Sequence, residues 1–468
     1  MIRLVPVAWP PVRMGEREGI TFYRNIIRKW PLASRLKDQM VETESPENQK
    51  QQAAHSPIRW GICSLLVVVT ALNYFDRQAL PVAVAALQKD FPISDQAYGR
   101  IQFLFLFAYG LMYIGGGRII DRLGTRWGYA LMVFWWSLAS ALQGAVTTVL
   151  GLGIFRFALG LGEGGGFPGS SRAISEWFPA KERASAFGLV NTGSSIGAVL
   201  APPAIAGIIL SLGWRWVFFL TGFFGFIWTL VWLKFYRHRA CNSLRSVGTL
   251  RMDGGSTESL PIKVVPWSVL LRFRQVQGFM LARFLCDSAW FFYIFWLPKY
   301  LGDVRHLNIK QIGLFAWIPY AFAGAGSLFG GWLSSFLLRR GLSIDMSRKI
   351  ALAVGAAVMP CSLFIAASPL SWVLIFFSIA FFGHQLFSTV AQTAVVDLFP
   401  GVAVATATGL VGGTGAFGAM IFSLVAGGVV THYHSFGPLF VLAAVLHPLA
   451  FLAVVFVVGA IAPIRLNG

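Results

Sequence analysis

"EWFPAKERASAFGLVNTGSSIGAV" (Glu176–Val199) and "DLFPGVAVATATGLVGGTGAFGAM" (Asp397–Met420) align without a gap, each residue of the first against the one 221 positions on. Phe178/Phe399, Pro179/Pro400, Gly188/Gly409, Leu189/Leu410, Val190/Val411, Gly197/Gly418 and Ala198/Ala419 are identical. A weaker echo pairs "GGGRIIDRLG" (115–124) with "GGWLSSFLLRRG" (330–341). Two similar halves imply a pseudo-two-fold axis, with any binding site between them near its midpoint.

What surrounds these segments decides what the halves are. The 468 residues are 56% hydrophobic and only 12% charged, with mean hydropathy +0.66. Soluble domains carry about twice that share of charge. From Ile58 the chain falls into apolar blocks of about 20 residues or more, long enough to cross the ~30 Å hydrocarbon core. Twelve are predicted, at 58–86, 97–119, 127–146, 149–173, 184–210, 215–236, 276–300, 310–338, 348–367, 371–396, 403–430 and 437–462. The expected fold class is an all-α integral membrane protein, twelve transmembrane helices in two pseudo-symmetric six-helix bundles. The expected organisation is a tail (1–57), an N-terminal bundle (58–236), a linker (237–275), a C-terminal bundle (276–462) and a short C-terminal tail (463–468).

The net charge of +19 would suggest nucleic acid in a soluble protein. Here the Lys and Arg concentrate in the tail, the 237–274 segment, "GGGRIIDRLGTRWG", "PAKERAS" and "RRGLSIDMSRK". These fall at the start and after even-numbered spans, so both termini are expected on the cytoplasmic side. No basic stripe interleaves with exposed aromatics, so nucleic-acid binding is not expected. The tail has no apolar core with a cleavage site, and is not read as a secretory signal. Cys63, Cys241, Cys286 and Cys361 form no C-x-x-C pair and are read as packing residues, with no disulfide or metal framework.

Charge within the spans is scarce: Asp76 and Arg77 in span 1, Arg156 and Glu163 in span 4, Arg283 and Asp287 in span 7, and His384 in span 10. Each such charge costs about 2.5–3.5 kcal/mol on insertion scales, which makes it a functional candidate. Spans 1, 4, 7 and 10 correspond under the repeat, and the 221 offset sets His384 against Glu163. One central polar cavity is expected. Asp76 and Arg77 point about 100° apart around their helix, so one can line the cavity while the other reaches a neighbouring helix. Arg283 and Asp287 stand four apart, spacing equally suited to a self-contained structural pair. An arginine fork suits a carboxylate ligand, and carboxylic acids suit proton transfer. Tyr74, Tyr109, Ser194, Gln385 and Ser388 add hydroxyl and amide groups for a polyhydroxylated solute; Trp290 and Trp317 offer sugar-stacking faces but fit packing better. Gly117 is expected to let two helices approach, and Asp121 to pair with Arg122, Arg126 or a basic group of the other bundle.

Two signals are set aside. "GLGEGG" (160–165) lies inside a span rather than after a strand, and is not a dinucleotide fingerprint. "HYH" (432–434) has no third ligand. No nucleophile–base or metal constellation of an enzyme is visible.

"GRIIDRLGTR", with Gly117, Asp121, Arg122, Gly124 and Arg126, resembles the loop 2–3 signature of the major facilitator superfamily, a resemblance covering about residues 58–462. "NYFDR", "RFALGLGEGGGFPG", "SEWFPAKERA", "NTGSSIGAVLAPP", "RFLCDSAWFFYIFWLPKYL" and "GHQ" resemble its anion:cation symporter family, nearest the bacterial hexuronate transporters. The resemblance implies a bacterial inner-membrane importer of a sugar-acid anion together with a proton, working as a monomer in the lipid bilayer without cofactor. It implies that Asp76 and Glu163 carry protons and that Tyr74, Arg77, Tyr109 and Arg156 shape the substrate site; Ser194, Arg283, His384 and Gln385 complete the expected site. Galactonate-type members carry Gln where this chain has Ser194 and Arg283, which turns the expectation toward glucuronate or galacturonate. Aldonates, aldarates and phthalate-like acids are the alternatives, as is exchange in place of symport.

Overall fold

The computed structural model describes residues 58–178, 180–236, 266–399 and 401–464, without the side chains of Asp121, Ala180, Lys181, Ala184, Ser185 and residues 401–405. The expected N-terminal tail and most of the expected linker lie outside the described residues. The helices of the first half are α1 (Ile58–Leu87), α2 (Asp95–Gln143), α3 (Val149–Glu163), α4 (Gly166–Trp177), α5 (Ala180–Leu212) and α6 (Trp214–Phe235). Those of the second are α7 (Trp267–Leu270), α8 (Arg274–Asp303), α9 (Ile309–Phe315), α10 (Trp317–Arg339), α11 (Ile344–Ala357), α12 (Leu370–Leu398), α13 (Gly401–Tyr433) and α14 (Gly437–Ala453). No strand occurs among the described residues.

Ten helices are long and apolar enough to cross a membrane among the described residues. The other two of the twelve spans are cut differently from the prediction. Spans 2 and 3 join in α2, whose limbs meet at Gly124, the one residue with non-helical angles (φ 75°, ψ 154°). Only glycine takes that turn without strain. Span 4 is broken at Gly164–Gly165 into α3 and α4. Span 8 is split into α9 and α10 just before Pro319, which has no N–H for the carbonyl of Phe315. Span 12 ends in a π-helical turn, Val454–Val458, and a Gly459 of positive φ. Polar caps start several helices: Ser94, Thr148, Asn308 and Ser343 each accept a backbone N–H three residues on.

Small residues set how closely the spans pack. A Cβ at Gly160 would come within 2.4 Å of the Phe105 carbonyl, and one at Gly164 within 2.6 Å of the Tyr109 carbonyl. These glycines, one turn apart, seat α3 on the first limb of α2. Gly162 presses on Trp136 of the second limb. Its repeat mate Gly383 presses on Val358 and Gly355. The "GLGEGG" run is thus a packing stripe that also delivers Glu163 to the interior.

Between the halves, α2 packs on α13 and α5 on α10, with α9 also against α5. Shifting by six spans turns the first of these pairs into the second, as the pseudo-two-fold requires. The halves are tied closely at the end of α2 that begins at Asp95. There a Cβ at Gly99 would lie 2.6 Å from the Ser423 carbonyl, and one at Gly313 2.5 Å from Ala206 Cβ. Tyr98 donates to the Phe295 carbonyl at 2.6 Å, and Lys299 pairs with Asp95 at 2.8 Å and also with Asp303.

Candidate functional site: a polar cavity between the halves

Three of the prolines inside helices leave carbonyls that polar side chains of other helices satisfy. Each removes the N–H that its i−4 carbonyl would have accepted. Pro81 orphans the Arg77 carbonyl, and Arg156 Nη2 donates to that oxygen at 3.1 Å, with Nη1 on the Asp76 carbonyl at 3.4 Å. Pro202 orphans the Ala198 carbonyl, and Gln78 Nε2 donates to it at 3.0 Å. Pro298 orphans the Ile294 carbonyl, and the Tyr320 hydroxyl reaches it at 3.4 Å.

A cavity of about 230 Å³ is lined from both halves. On its N-terminal side Arg77 Nε donates to Glu163 Oε2 at 2.8 Å, joining α1 to α3, with both side chains nearly inaccessible to solvent. The Arg77 guanidinium lies 4.6 Å from the Tyr109 ring centre and 5.0 Å from that of Tyr74. Glu163 Oε1 is buried without a hydrogen-bond partner. On the C-terminal side Arg283 pairs with Asp287 at 2.8 Å and donates to Ser388 Oγ at 2.5 Å. His384 stacks on Trp290, ring centres 4.5 Å apart and planes within 6°, while its Nδ1 lies 3.0 Å from His447 Nε2. Ser194 and Gln385 complete the wall, the Ser194 hydroxyl donating to its own helix at the Asn191 carbonyl.

Not all the expected residues meet there. Tyr74, Arg77, Tyr109, Glu163, Ser194, Arg283, His384 and Gln385 line the cavity; Asp76 and Arg156 do not. Asp76 turns away and accepts from Ser140 Oγ at 2.7 Å, which in turn touches Thr221. Arg156 is fully buried against α1 carbonyls and over the Phe105 ring at 4.6 Å. Trp317 also lies off the wall, whereas Trp290 is on it. In the loop 2–3 motif, Asp121's side chain lies outside the described residues. Arg122 is exposed, and Arg126 donates to the Leu233 carbonyl at 2.6 Å. A Cβ at Gly117 would have only an ordinary contact, Pro168 at 3.8 Å; the close approach belongs to Gly116, where a Cβ would lie 3.1 Å from Gly165 Cα.

The sequence reading missed Asn73, Tyr113, Asn191, Thr389 and Gln392, all on the wall. Helical spacing holds the signal: Asn73 stands four before Arg77, Tyr113 four after Tyr109, and Gln385, Ser388, Thr389 and Gln392 share one face. His447, in span 12, was also missed. Ionisable groups inside the spans are therefore not confined to spans 1, 4, 7 and 10.

Two homologous helix bundles around a shared polar cavity define a membrane transporter rather than an enzyme. The chain belongs to the Major Facilitator Superfamily, whose family model matches residues 66–383. It is a multi-pass protein of the inner membrane. A hexuronate transporter of Escherichia coli (strain K12) is 34% identical over 398 residues, covering 83% of this chain and 91% of that protein. A galacturonate transporter of Dickeya chrysanthemi is 34% identical over 309 residues, 64% of this chain and 89% of that protein. The resemblance read from the motifs is borne out. Among solved structures, a bacterial homologue of the human lysosomal transporter Spinster superposes with a TM-score of 0.64 at 19% identity, covering 86% of this chain and 95% of that one.

Proposed function

We propose that this protein is a proton-coupled symporter that imports a sugar-acid anion, a hexuronate such as glucuronate or galacturonate, by alternating access. The observation that carries the proposal is the Arg77–Glu163 pair across α1 and α3 on the cavity wall. Paired through Nε, Arg77 has its charge offset by Glu163 and holds a substrate carboxylate less strongly. When Glu163 takes a proton, at its unpartnered oxygen Oε1, its hold on Arg77 is lost. Arg77 then binds the substrate carboxylate with two parallel hydrogen bonds. Arg283, His384 and Gln385 receive the hydroxylated end. The bundles rock, substrate leaves, Glu163 releases its proton, and the Arg77–Glu163 pair re-forms. Asp76 is the second proton carrier in this reading, working from behind the wall through Ser140. The relatives named for hexuronate and galacturonate transport support the substrate class.

The basic loops support a reading with both termini in the cytoplasm and with bundles at 58–236 and 276–462 joined by a cytoplasmic linker. Proteoliposome uptake under an imposed pH gradient tests the coupling. Glu163→Gln should still exchange labelled substrate for preloaded substrate, yet fail to concentrate it. If Glu163→Gln concentrates substrate as the native protein does, the coupling assignment is wrong. A thermal-shift panel of glucuronate, galacturonate, galactonate, glucarate and phthalate fixes the substrate. Stabilisation by none of the uronates sinks the hexuronate reading.

A further inference from the structure

At the cavity wall of the C-terminal half lies a cluster of which the proposed cycle uses only His384. Cys286 of α8, His384 of α12 and His447 of α14 are all buried, with one donor atom of each within 4.8 Å of the others. They come from three helices and from sequence positions too far apart for any motif. The two rings touch through nitrogens 3.0 Å apart, His384 Nδ1 and His447 Nε2. The remaining ring nitrogen of His447, Nδ1, has no hydrogen-bond partner although the residue is fully buried. The thiol is weakly held, with Asp287 Oδ1 at 3.5 Å and the Arg283 carbonyl at 3.8 Å. His384 reaches the cavity wall, while Cys286 and His447 stand behind it.

We propose that Cys286, His384 and His447 form a binding site for a zinc-type transition metal ion, entered from the cavity past His384, and that filling it arrests transport. Two imidazoles in hydrogen-bond contact share one proton between two lone pairs. A metal ion takes the place of that proton and uses both pairs. Zinc–nitrogen bonds of about 2.0–2.1 Å in tetrahedral geometry set the nitrogens roughly 3.3 Å apart, so the rings need open by only a few tenths of an ångström. The sulfur then closes to about 2.3 Å. The Cys286 thiol releases its proton to cavity water as the ion binds, the proton displaced from between the rings moves to the unpartnered His447 Nδ1, and His384 keeps its one proton on Nε2. One thiolate and two imidazoles are the donors of zinc, copper(I) or cobalt rather than of magnesium or calcium. The fourth coordination position is left toward the cavity. Nearby charges oppose each other, the Asp287 carboxylate favouring the cation and Arg283, paired to it, disfavouring it. A filled site ties α8, α12 and α14 together and fixes His384 on the wall, which is why transport should stop.

The arrest rests on the transport reading above; the binding does not, and the tests separate them. The full-length protein in detergent, stripped with chelator, is titrated with Co²⁺ alone. One equivalent should produce tetrahedral d–d bands and a sulfur-to-cobalt charge-transfer band, both displaced by Zn²⁺. Cys286→Ser should lose the charge-transfer band, and His447→Gln should weaken binding at least about tenfold, a loss that outer-shell changes alone can cause. The exposed His432 and His434 can bind Co²⁺ too, but nitrogen ligands give no sulfur band. A native protein without that band, or a band that survives Cys286→Ser, overturns the site. In proteoliposomes, Zn²⁺ should inhibit uptake by the native protein, reversibly with chelator, and spare Cys286→Ser. Equal inhibition of both overturns the arrest.

Discussion

Each half carries an arginine–acid pair whose arginine stands on its first span, and the two are built differently. Arg77 reaches across from α1 to Glu163 on α3; Arg283 reaches one turn along α8 to Asp287. Neutralising Glu163 cuts a tie between two helices and frees a cation in the cavity. Neutralising Asp287 alters the charge of one wall and unties no helices. A pair that spans helices can report protonation to the packing, and a pair within one helix cannot. In the proposed cycle, coupling therefore falls to the N-terminal half and substrate shape to the C-terminal half.

The largest expected effect breaks or confirms that division directly. Glu163→Gln should abolish accumulation while sparing exchange, whereas Asp287→Asn should keep accumulation and change apparent affinity about tenfold or less. Side-by-side uptake with and without a pH gradient distinguishes them. Were Asp287→Asn the uncoupled variant, the roles of the halves would be reversed.

Next in size is the fork itself. Arg77→Lys keeps the charge but not the two parallel donors. Losing one charge-assisted hydrogen bond of about 1.5–3 kcal/mol predicts a fall of roughly 10–100-fold in kcat/KM for uptake. Arg283→Gln should cost less and shift the preference among sugar acids, read as the ratio of uptake rates for uronate and aldonate. If the two arginine variants exchange these signatures, the carboxylate sits on the other wall.

Much of this was legible in the sequence. Hydropathy alone gave the spans, because a bilayer demands apolar length whatever the packing. The ungapped match of 176–199 with 397–420 gave the two bundles. Cost of burial flagged Arg77, Glu163, Arg283, Asp287 and His384, and all five line the cavity. What was hidden depends on rotation about a helix axis. Asp76 and Arg77 are neighbours, and nothing in their identities says which faces inward; a hydroxyl from Ser140 on another span decides it. Arg156 was misjudged for a readable reason. Pro81 stands four after Arg77, so a donor was needed at the Arg77 carbonyl, and Arg156 supplies it. The breaks in spans 4 and 8 were also marked in advance, by Gly164–Gly165 and Pro319.

The assignment of Arg156 to the helix backbone gives the third test. Arg156→Met should destabilise the protein by about 1–3 kcal/mol through the carbonyls left buried and unsatisfied. Pro81→Ala restores an N–H to the Arg77 carbonyl. The double variant should therefore be more stable than the two single losses added together, by about 1 kcal/mol in detergent unfolding titrations. Strict additivity, together with a loss of substrate-induced thermal shift in Arg156→Met alone, would return Arg156 to the substrate.

The smallest effects compare how the halves satisfy the carbonyls their prolines leave free. In the first, Gln78 Nε2 meets the Ala198 carbonyl at 3.0 Å; in the second, the Tyr320 hydroxyl meets the Ile294 carbonyl at 3.4 Å. Gln78→Ala should cost about 1 kcal/mol, the ordinary net worth of a buried hydrogen bond. Tyr320→Phe should cost less, since a long bond has less to lose and the ring stays packed on Phe381. Neither residue lines the cavity, so accumulation should be unchanged in both. Gln78 is the more telling of the two, because it stands next to Arg77 and ties α1 to α5. Should Gln78→Ala lower accumulation without lowering stability, the α1–α5 contact would belong to the coupling device, and the N-terminal half would carry its proton signal through three helices instead of two.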